Sequence, residues 1–178
     1  RNGSMKDCTV LGEINLTNAT HVGGLVGYMF SSVHDSTNVK NTDGLTITVE
    51  NGEDAAGTIY VGGIVGLQEN GEVSGIVSKA NITVNGAKNA YVGGIAGNGA
   101  SIGSCKVENG KITVNNMSDL YAGGIAGTAK EIVDGIVDCG IKADNIFAEL
   151  SVGGIAGIAT GSVNGTYDRV SNSTENPD

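Results

Sequence analysis

Apolar and polar residues alternate strictly in short segments that recur about every 30 residues along the chain. The segments read Leu-Thr-Ile-Thr-Val from Leu45, Ile-Thr-Val from Ile82 and from Ile112, and Ile-Lys-Ala from Ile141, with an incomplete earlier copy from Ile14. Alternation with a period of two residues is typical of short β-strands that bury one face. No segment has a helical period, so the pattern predicts an all-β chain.

A hexapeptide built on a Gly-Gly pair lies about 18 residues before each complete alternating segment. Its five copies are VGGLVG at 22–27, VGGIVG at 61–66, VGGIAG at 92–97, AGGIAG at 122–127 and VGGIAG at 152–157. The Gly-Gly pairs are 39, 31, 30 and 30 residues apart. Five copies at a nearly constant spacing indicate a repeat architecture.

Between the two patterns lies a looser stretch with spaced apolar residues, for example Val73 and Ile76, or Ile102 and Cys105. We interpret it as a third short strand. Turns with positive φ are expected at the Asn-Gly pairs that begin at Asn51, Asn70, Asn85 and Asn109.

One such unit buries little apolar surface by itself, whereas stacked units form continuous sheets and a continuous core. We therefore predict an all-β repeat β-solenoid, β-helix-like, with about five coils of about 30 residues and two to three short strands each. Residues 1–7 are expected to be a lead-in that starts with a cloning remnant, 8–168 a single solenoid domain, and 169–178 a polar tail or linker. The coils are expected near 8–21 (partial), 22–60, 61–91, 92–121, 122–151 and 152–168 (partial).

The hexapeptide is apolar on both faces when it is read as one strand. Leu25, Ile64, Ile95, Ile125 and Ile155 are expected to form an internal column, yet Val92 and Ala96 on the opposite face are apolar as well. A strand that is apolar on both faces is normally buried on both. A loop, the chain termini, a neighbouring domain or a flattened, sandwich-like coil would each provide the cover.

The repeat unit resembles the GLUG motif. The resemblance is carried by Tyr-Val-Gly-Gly-Ile-Val/Ala-Gly at 60–66 and 91–97, and by Ile-Gly-Ser-Cys at 102–105, and it covers roughly residues 8–168. GLUG repeats occur in bacterial cell-surface proteins, including adhesin-like proteins of Bacteroides-type gut organisms. They also occur in non-catalytic regions of streptococcal metalloproteases that cleave immunoglobulin A. The resemblance implies an architecture and a surface location, and it carries no catalytic residues onto this sequence.

Composition narrows the possible partners. The formal net charge of −9 argues against nucleic acid and anionic membranes, which both require clustered Lys and Arg. No apolar run is long enough for membrane insertion, and no secretory signal is visible. The location that the resemblance to GLUG-repeat proteins implies is extracellular or on the cell surface.

The candidate chemistry is sparse. Three Cys at irregular spacing and two His in different units form no metal-ligand pattern. The cysteines are expected to be small core residues, with one stray disulfide as the alternative. The glycine-rich hexapeptides lack the Lys-Ser/Thr of a phosphate-binding loop and the Asp column of a calcium-binding β-roll. We therefore expect no enzyme activity, no cofactor and no metal.

Two surface features remain as candidates for binding. The first full unit is longer than the others, and its insertions carry Met29 and Phe30 in one loop and Glu53 and Asp54 in another. Insertions in repeat proteins often lie on the binding face, so we interpret these four residues as an interaction loop; the alternative is a cap on the first coil. The second feature is an expected column of threonines on one outer face, which consists of Thr17, Thr46, Thr48, Thr83 and Thr113.

The repeat pattern predicts a non-catalytic structural and interaction module, and the resemblance to GLUG-repeat proteins implies that it belongs to a secreted bacterial cell-surface protein, adhesin-like. Its expected partners are a host glycan or an extracellular protein, and other domains of the parent chain. The alternative is a non-catalytic stalk of a large secreted enzyme, such as a surface metalloprotease. Ice or mineral binding through the threonine column is a more remote alternative, since threonine is also a common half-exposed strand residue.

Overall fold

Each strand lies beside the equivalent strand of the next coil, and every pairing between coils is parallel. The structure is a computed structural model that describes the backbone of residues 4–34, 42–52 and 57–173. These residues contain sixteen β-strands and no helix. The strands are β1 (Ser4–Lys6), β2 (Glu13–Thr17), β3 (His21–Gly23), β4 (Val26–Met29), β5 (Ser32–His34), β6 (Thr46–Glu50), β7 (Thr58–Gly62), β8 (Val65–Gln68), β9 (Val73–Ser74), β10 (Val77–Ser78), β11 (Asn81–Gly93), β12 (Ala96–Gly103), β13 (Lys106–Gly123), β14 (Ala126–Gly153), β15 (Ala156–Ala159) and β16 (Val163–Ser173).

The pairings define four faces that run along the solenoid. Face 1 stacks β2, β6 and parts of β11, β13, β14 and β16, and it contains the Ile-Thr-Val segments. Face 2 stacks β3, β7 and the ends of β11, β13 and β14. Face 3 stacks β4, β8, β15 and the starts of β12 and β14. Face 4 contains β1, β5, β9 and parts of β12, β14 and β16. Between faces 4 and 1, β10 pairs with the start of β13, which pairs in turn with β14. The β-solenoid predicted from the sequence, with about five coils, is thus confirmed.

Identical or similar apolar residues stack in columns because the coils are in register. On face 1 one column contains Ile14, Ile47, Ile82, Ile112 and Ile141. The expected column of the hexapeptides is also present: the N–H of Ile64 donates to the carbonyl of Ile95, and the N–H of Ile95 donates to that of Ile125. Ile64, Ile95 and Ile125 are fully buried, whereas Leu25 and Ile155 in the outer copies are partly buried.

The hexapeptide contains a bend, and this bend explains its two apolar faces. In the third copy β11 ends at Gly93 and β12 begins at Ala96, so Val92 and Ala96 belong to different strands. Both side chains have no exposed surface. A Cβ on Gly97 would lie 2.6 Å from the backbone nitrogen of Val61, in the arm before the bend of the preceding coil. The two arms of the hexapeptide therefore cover each other, and glycine permits this close approach.

The expected turns are confirmed in three of the four Asn-Gly pairs. Gly71 and Gly86 have φ of 82° and 72°, and in the fourth pair Asn109 itself has φ of 50°. Gly52 does not have a positive φ. The looser stretch is also confirmed as strand, since it contains β9 and β10 in one coil and the end of β12 in the next.

Strand pairing extends beyond the 8–168 limits expected from the sequence. Residues 4–6, expected in the lead-in, form β1 and pair with β5. At the other end β16 continues to Ser173, within the expected tail, and pairs with β14. Backbone hydrogen bonding to a neighbouring coil thus orders polar sequence that carries no strand pattern of its own.

Candidate interaction surface

Face 2 has a ladder of aromatic rings on its outer side, one ring from each of four successive coils. The ladder consists of His21, Tyr60, Tyr91 and Tyr121, which are in register with one another. Neighbouring ring centroids are 5.5, 5.1 and 4.7 Å apart, and neighbouring planes are within 15–17° of parallel. Since Tyr60 and Tyr91 each have a ring on both sides, their faces are occupied and their edges remain available.

Two further rings extend the ladder around its first coil. Tyr28 packs edge-on against His21 with centroids 5.3 Å apart, and Phe30 packs against Tyr28 at 4.9 Å. Phe30 is 60% exposed and Tyr28 is 41% exposed. We call Phe30, Tyr28 and His21 the aromatic corner, and the corner together with the other ladder residues the aromatic strip. An exposed cluster of aromatic rings is typical of binding surfaces, where such residues dominate the contact energy.

Carboxylates hold the hydroxyl groups at both ends of the strip. The Tyr28 hydroxyl donates to Oε1 of Glu69 at 2.5 Å, and the Tyr121 hydroxyl donates to Oε2 of Glu149 at 2.9 Å. The bond to Glu69 raises the pKa of Tyr28, and the bond to Glu149 raises the pKa of Tyr121 to about 12. Both hydroxyls therefore remain protonated donors at neutral pH.

The pKa of Tyr91, in the middle of the ladder, is raised by a different cause. Burial raises its pKa, with smaller contributions from Tyr60 and from the carboxylates of Glu149 and Asp119. Within the described part of the chain, the hydroxyls of Tyr60 and Tyr91 make no side-chain hydrogen bond. These two hydroxyls are thus available to an external partner.

The residues of the expected interaction loop have different environments. Met29 is 3% exposed and lies in β4 beside Gln68 of β8, so the expected exposed Met29-Phe30 pair is reduced to Phe30 alone. Met29 is buried because it belongs to a face-3 strand and points to the core, next to an outward-facing Tyr28. Glu53 and Asp54 lie outside the described residues.

The threonine column is shorter than the sequence suggests. Thr48, Thr83 and Thr113 are in register, and the column is bounded by Asn15 and Lys142. Thr46 is instead in register with Glu13 and Asn81, and Thr17 with Glu50. Three threonines in a single file fall short of the regular array that binding to ice would require.

A ladder of polar side chains runs beside this column. Asn115 donates to Oδ1 of Asn85 at 2.8 Å, and Asn85 donates to Oε1 of Glu50 at 2.7 Å. These bonds join three successive coils and satisfy the side chains internally. These hydrogen bonds therefore stabilise the stacking of the coils.

Cys105 and Cys139 are buried free thiols, which confirms the expectation of small core residues for these two. Burial raises the pKa of each to about 12. Cys8 is half-buried, and its Sγ lies 3.4 Å from the carbonyl oxygen of Lys6. Among the described residues, no three His, Cys, Asp or Glu side chains are placed to hold a metal ion.

Sequence reasoning missed the aromatic strip, although a signal for it was present. The residue before each hexapeptide is His21, Tyr60, Tyr91, Tyr121 or Ser151. Once the hexapeptides are known to stack in register, these residues must form a column. The column ends at Ser151, which pairs with Tyr121 and has no ring.

Comparison with known proteins gives one partial similarity. The chain is 40% identical over 85 residues to Halomucin of Haloquadratum walsbyi; the match covers 48% of this chain and 1% of Halomucin. No protein-family model matches the chain, and no solved structure matches it. Across the described ranges no helix is long and apolar enough to cross a membrane.

Proposed function

We propose that the chain is a non-catalytic structural and interaction module of an extracellular or cell-surface protein, adhesin-like, with the aromatic strip as its binding surface. The β-solenoid fold and the partial similarity to Halomucin are compatible with a structural module of a cell-surface protein. The resemblance of the repeat to GLUG motifs supports the same setting. The observation that carries the proposal is the strip: six aromatic side chains in one continuous series of ring contacts.

The placement of the strip supports binding in addition to a role in stability. Each stacked pair adds about 0.5–1.5 kcal/mol to stability beyond its area burial, so part of the ladder is explained by coil stacking alone. Coil stacking does not explain the position of Phe30, because Phe30 is 60% exposed and lies at the margin of the strip. Tyr60, Tyr91 and Tyr121 are also fixed on strands that pair with a neighbouring strand on both sides, so a partner meets a preorganised surface along the ladder.

The chemistry of the strip supports a non-catalytic role. A general base or nucleophile acts best with a pKa near the working pH. The pKa values of Tyr28, Tyr91 and Tyr121 are instead raised above the usual value for tyrosine. These groups suit hydrogen bonding to a partner.

A binding screen tests this proposal. The purified protein would be probed by surface plasmon resonance against panels of host glycans and extracellular matrix proteins. We expect at least one saturable ligand, and loss of its binding in a Tyr60→Ala, Tyr91→Ala double variant. A Thr83→Ala, Thr113→Ala double variant changes two outer residues of face 1 and serves as the matched control, with unchanged binding. A chain that folds but binds nothing in either panel would be a spacer, as the stalk alternative requires.

A further inference from the structure

We infer that the aromatic corner, together with Glu69, binds a neutral saccharide. This inference rests on the proposed function and names the ligand class for the same surface. It starts from a difference between the corner and the rest of the strip. The faces of Tyr60 and Tyr91 are occupied by neighbouring rings, whereas Phe30 has most of its surface in solvent.

Phe30 supplies the apolar half of such a site. A pyranose ring has one or two flat faces made of C–H groups, whose hydrogens carry a small positive partial charge. The face of an aromatic ring is negative because of its quadrupole, so the two surfaces attract and exclude water from each other. Tyr28 contacts Phe30 at a ring-plane angle of 73°, and Phe30 keeps 60% of its surface exposed, so ring surface remains for a sugar.

Glu69 and Tyr28 supply the polar half. Sugar hydroxyls are donors and acceptors, and an ionised carboxylate is the strongest acceptor available to them. The bond from the Tyr28 hydroxyl occupies only part of the acceptor capacity of Glu69, which is about four lone-pair sites. The Tyr28 oxygen can in turn accept a bond from a sugar hydroxyl. Thr20 Oγ1 lies 3.0 Å from Nδ1 of His21 and leaves the other imidazole nitrogen of the corner for a ligand.

Charge favours a neutral sugar over an anionic one. The formal net charge is −9, and the strip itself is bordered by Glu69, Asp119 and Glu149. A sialylated or sulfated glycan would place its negative charge against these carboxylates, which opposes both encounter and binding. A basic peptide also satisfies the charge, and its cations are attracted to the ring faces, so a lysine peptide is the competing probe in the test below.

Tyrosine fluorescence provides a direct titration. The chain has no Trp and five Tyr, four of which lie in the strip, so a ligand at the corner changes the intrinsic signal. The probes are soluble neutral tetrasaccharides of glucose, galactose, mannose and N-acetylglucosamine, a sialylated tetrasaccharide, and penta-lysine. We expect saturable binding of at least one neutral probe with little dependence on salt, since no charge pair forms.

Variants locate the site. Phe30→Ala should weaken binding about tenfold or more, because truncation of a central aromatic contact has effects on that order. Glu69→Gln keeps the shape but removes the charged acceptor, and should weaken binding severalfold. Phe147→Ala is the matched control: Phe147 is 75% exposed in a coil remote from the corner, and its loss should leave binding unchanged. Circular dichroism confirms that each variant is folded.

Three results would overturn the inference. If a neutral probe binds equally to the parent, Phe30→Ala and Glu69→Gln, the corner is not the site, and the proposed function then stands only if the Tyr60→Ala, Tyr91→Ala variant loses the binding. If penta-lysine alone binds and salt abolishes its binding, the ligand class is wrong. If no saccharide binds, the inference fails; the proposed function fails with it only when the matrix proteins of the wider screen also give no ligand.

Discussion

Gly127 occupies a position at which no side chain fits. A Cβ there would lie 2.5 Å from the nitrogen of Val92 and 2.7 Å from the carbonyl oxygen of Gly97. Both atoms belong to backbone that is fixed by coil stacking, so a shift of either atom would disturb the hydrogen bonds between coils. We expect Gly127→Ala to lower the free energy of unfolding by about 3 kcal/mol, at the upper end of the usual cost of overpacking.

The midpoint of urea denaturation measures this effect, and Gly52→Ala is the matched control. A Cβ on Gly52 would meet nothing within 4 Å, and its φ is not in the left-handed region. That substitution should leave the midpoint unchanged or raise it slightly, because alanine restricts the unfolded chain. Equal midpoints for the two variants would contradict the close packing of the hexapeptide arms.

The three thiols should react at very different rates. Cys105 and Cys139 are buried with pKa values of about 12, against the usual 9.0, and the thiolate is the reactive form. Cys8 is half-buried. With a disulfide reagent at pH 8 we therefore expect one thiol to react in the native protein and three in denaturant. Rapid reaction of two or three thiols in the native state would show that the core is open.

The same two cysteines should make stability fall at alkaline pH. The unfolded thiols lose their protons near pH 9, whereas the folded ones keep them until about pH 12. Between these values the folded state binds more protons, so the free energy of unfolding decreases as the pH rises. A Cys105→Ala, Cys139→Ala variant should lose part of this decrease, as followed by urea denaturation between pH 8 and pH 11.

At the scale of the element, the isoleucine of the hexapeptide should contribute different amounts to the free energy of unfolding in different coils. Ile95 is fully buried between the equivalent residues of two neighbouring coils, whereas Ile155 in the last copy is partly buried. Ile95→Ala should cost about 3–4 kcal/mol, since it removes buried methylene groups and leaves a cavity. Ile155→Ala should cost less than half of that. Urea denaturation of the two variants gives the comparison, and equal costs would contradict the column.

Sequence patterns predicted these elements well where their period was constant. The Ile-Thr-Val strands and the hexapeptide column follow directly from spacing, because an in-register stack places equal positions above one another. The bend inside the hexapeptide was not predicted, since a period of two was continued through Gly93 and Gly94, where the chain turns. Met29 was expected on the surface for another reason: the longer first unit was interpreted as carrying a loop insertion there, whereas Met29 lies in a face-3 strand and is buried.

The aromatic strip was missed for a different physical reason. Its residues are at least 30 sequence positions apart from one coil to the next, and none of them belongs to the apolar core pattern that reveals strands. Only the register of neighbouring coils brings the rings within 5.5 Å of each other. A surface made by stacking thus becomes visible once the stacking itself is known.

At the scale of the whole molecule, each coil contacts mainly its two neighbours, so stability should approximate a sum over coils and the interfaces between them. This makes the coil a removable unit. Deletion of residues 92–121 joins Tyr91 to Ala122, a junction equivalent to that of Tyr121 and Ala122 in the parent. All four faces then continue in register. We expect this shortened protein to fold, with β-type circular dichroism and cooperative urea denaturation at a lower midpoint, because one interface between coils is lost.

Deletion of residues 107–121 is the control, because it distinguishes the effect of coil register on stability from the effect of chain length. It removes half as many residues, but it takes the face-1 and face-2 strands from one coil and leaves the rest of that coil in place. The Ile82 column then loses its neighbour Ile112 while faces 3 and 4 keep theirs, so the chain cannot satisfy all faces at once. We expect this variant to lack a cooperative transition. If it were as stable as the variant without a complete coil, stability would follow the number of residues that remain, and the in-register coil would not be the unit from which the solenoid is built.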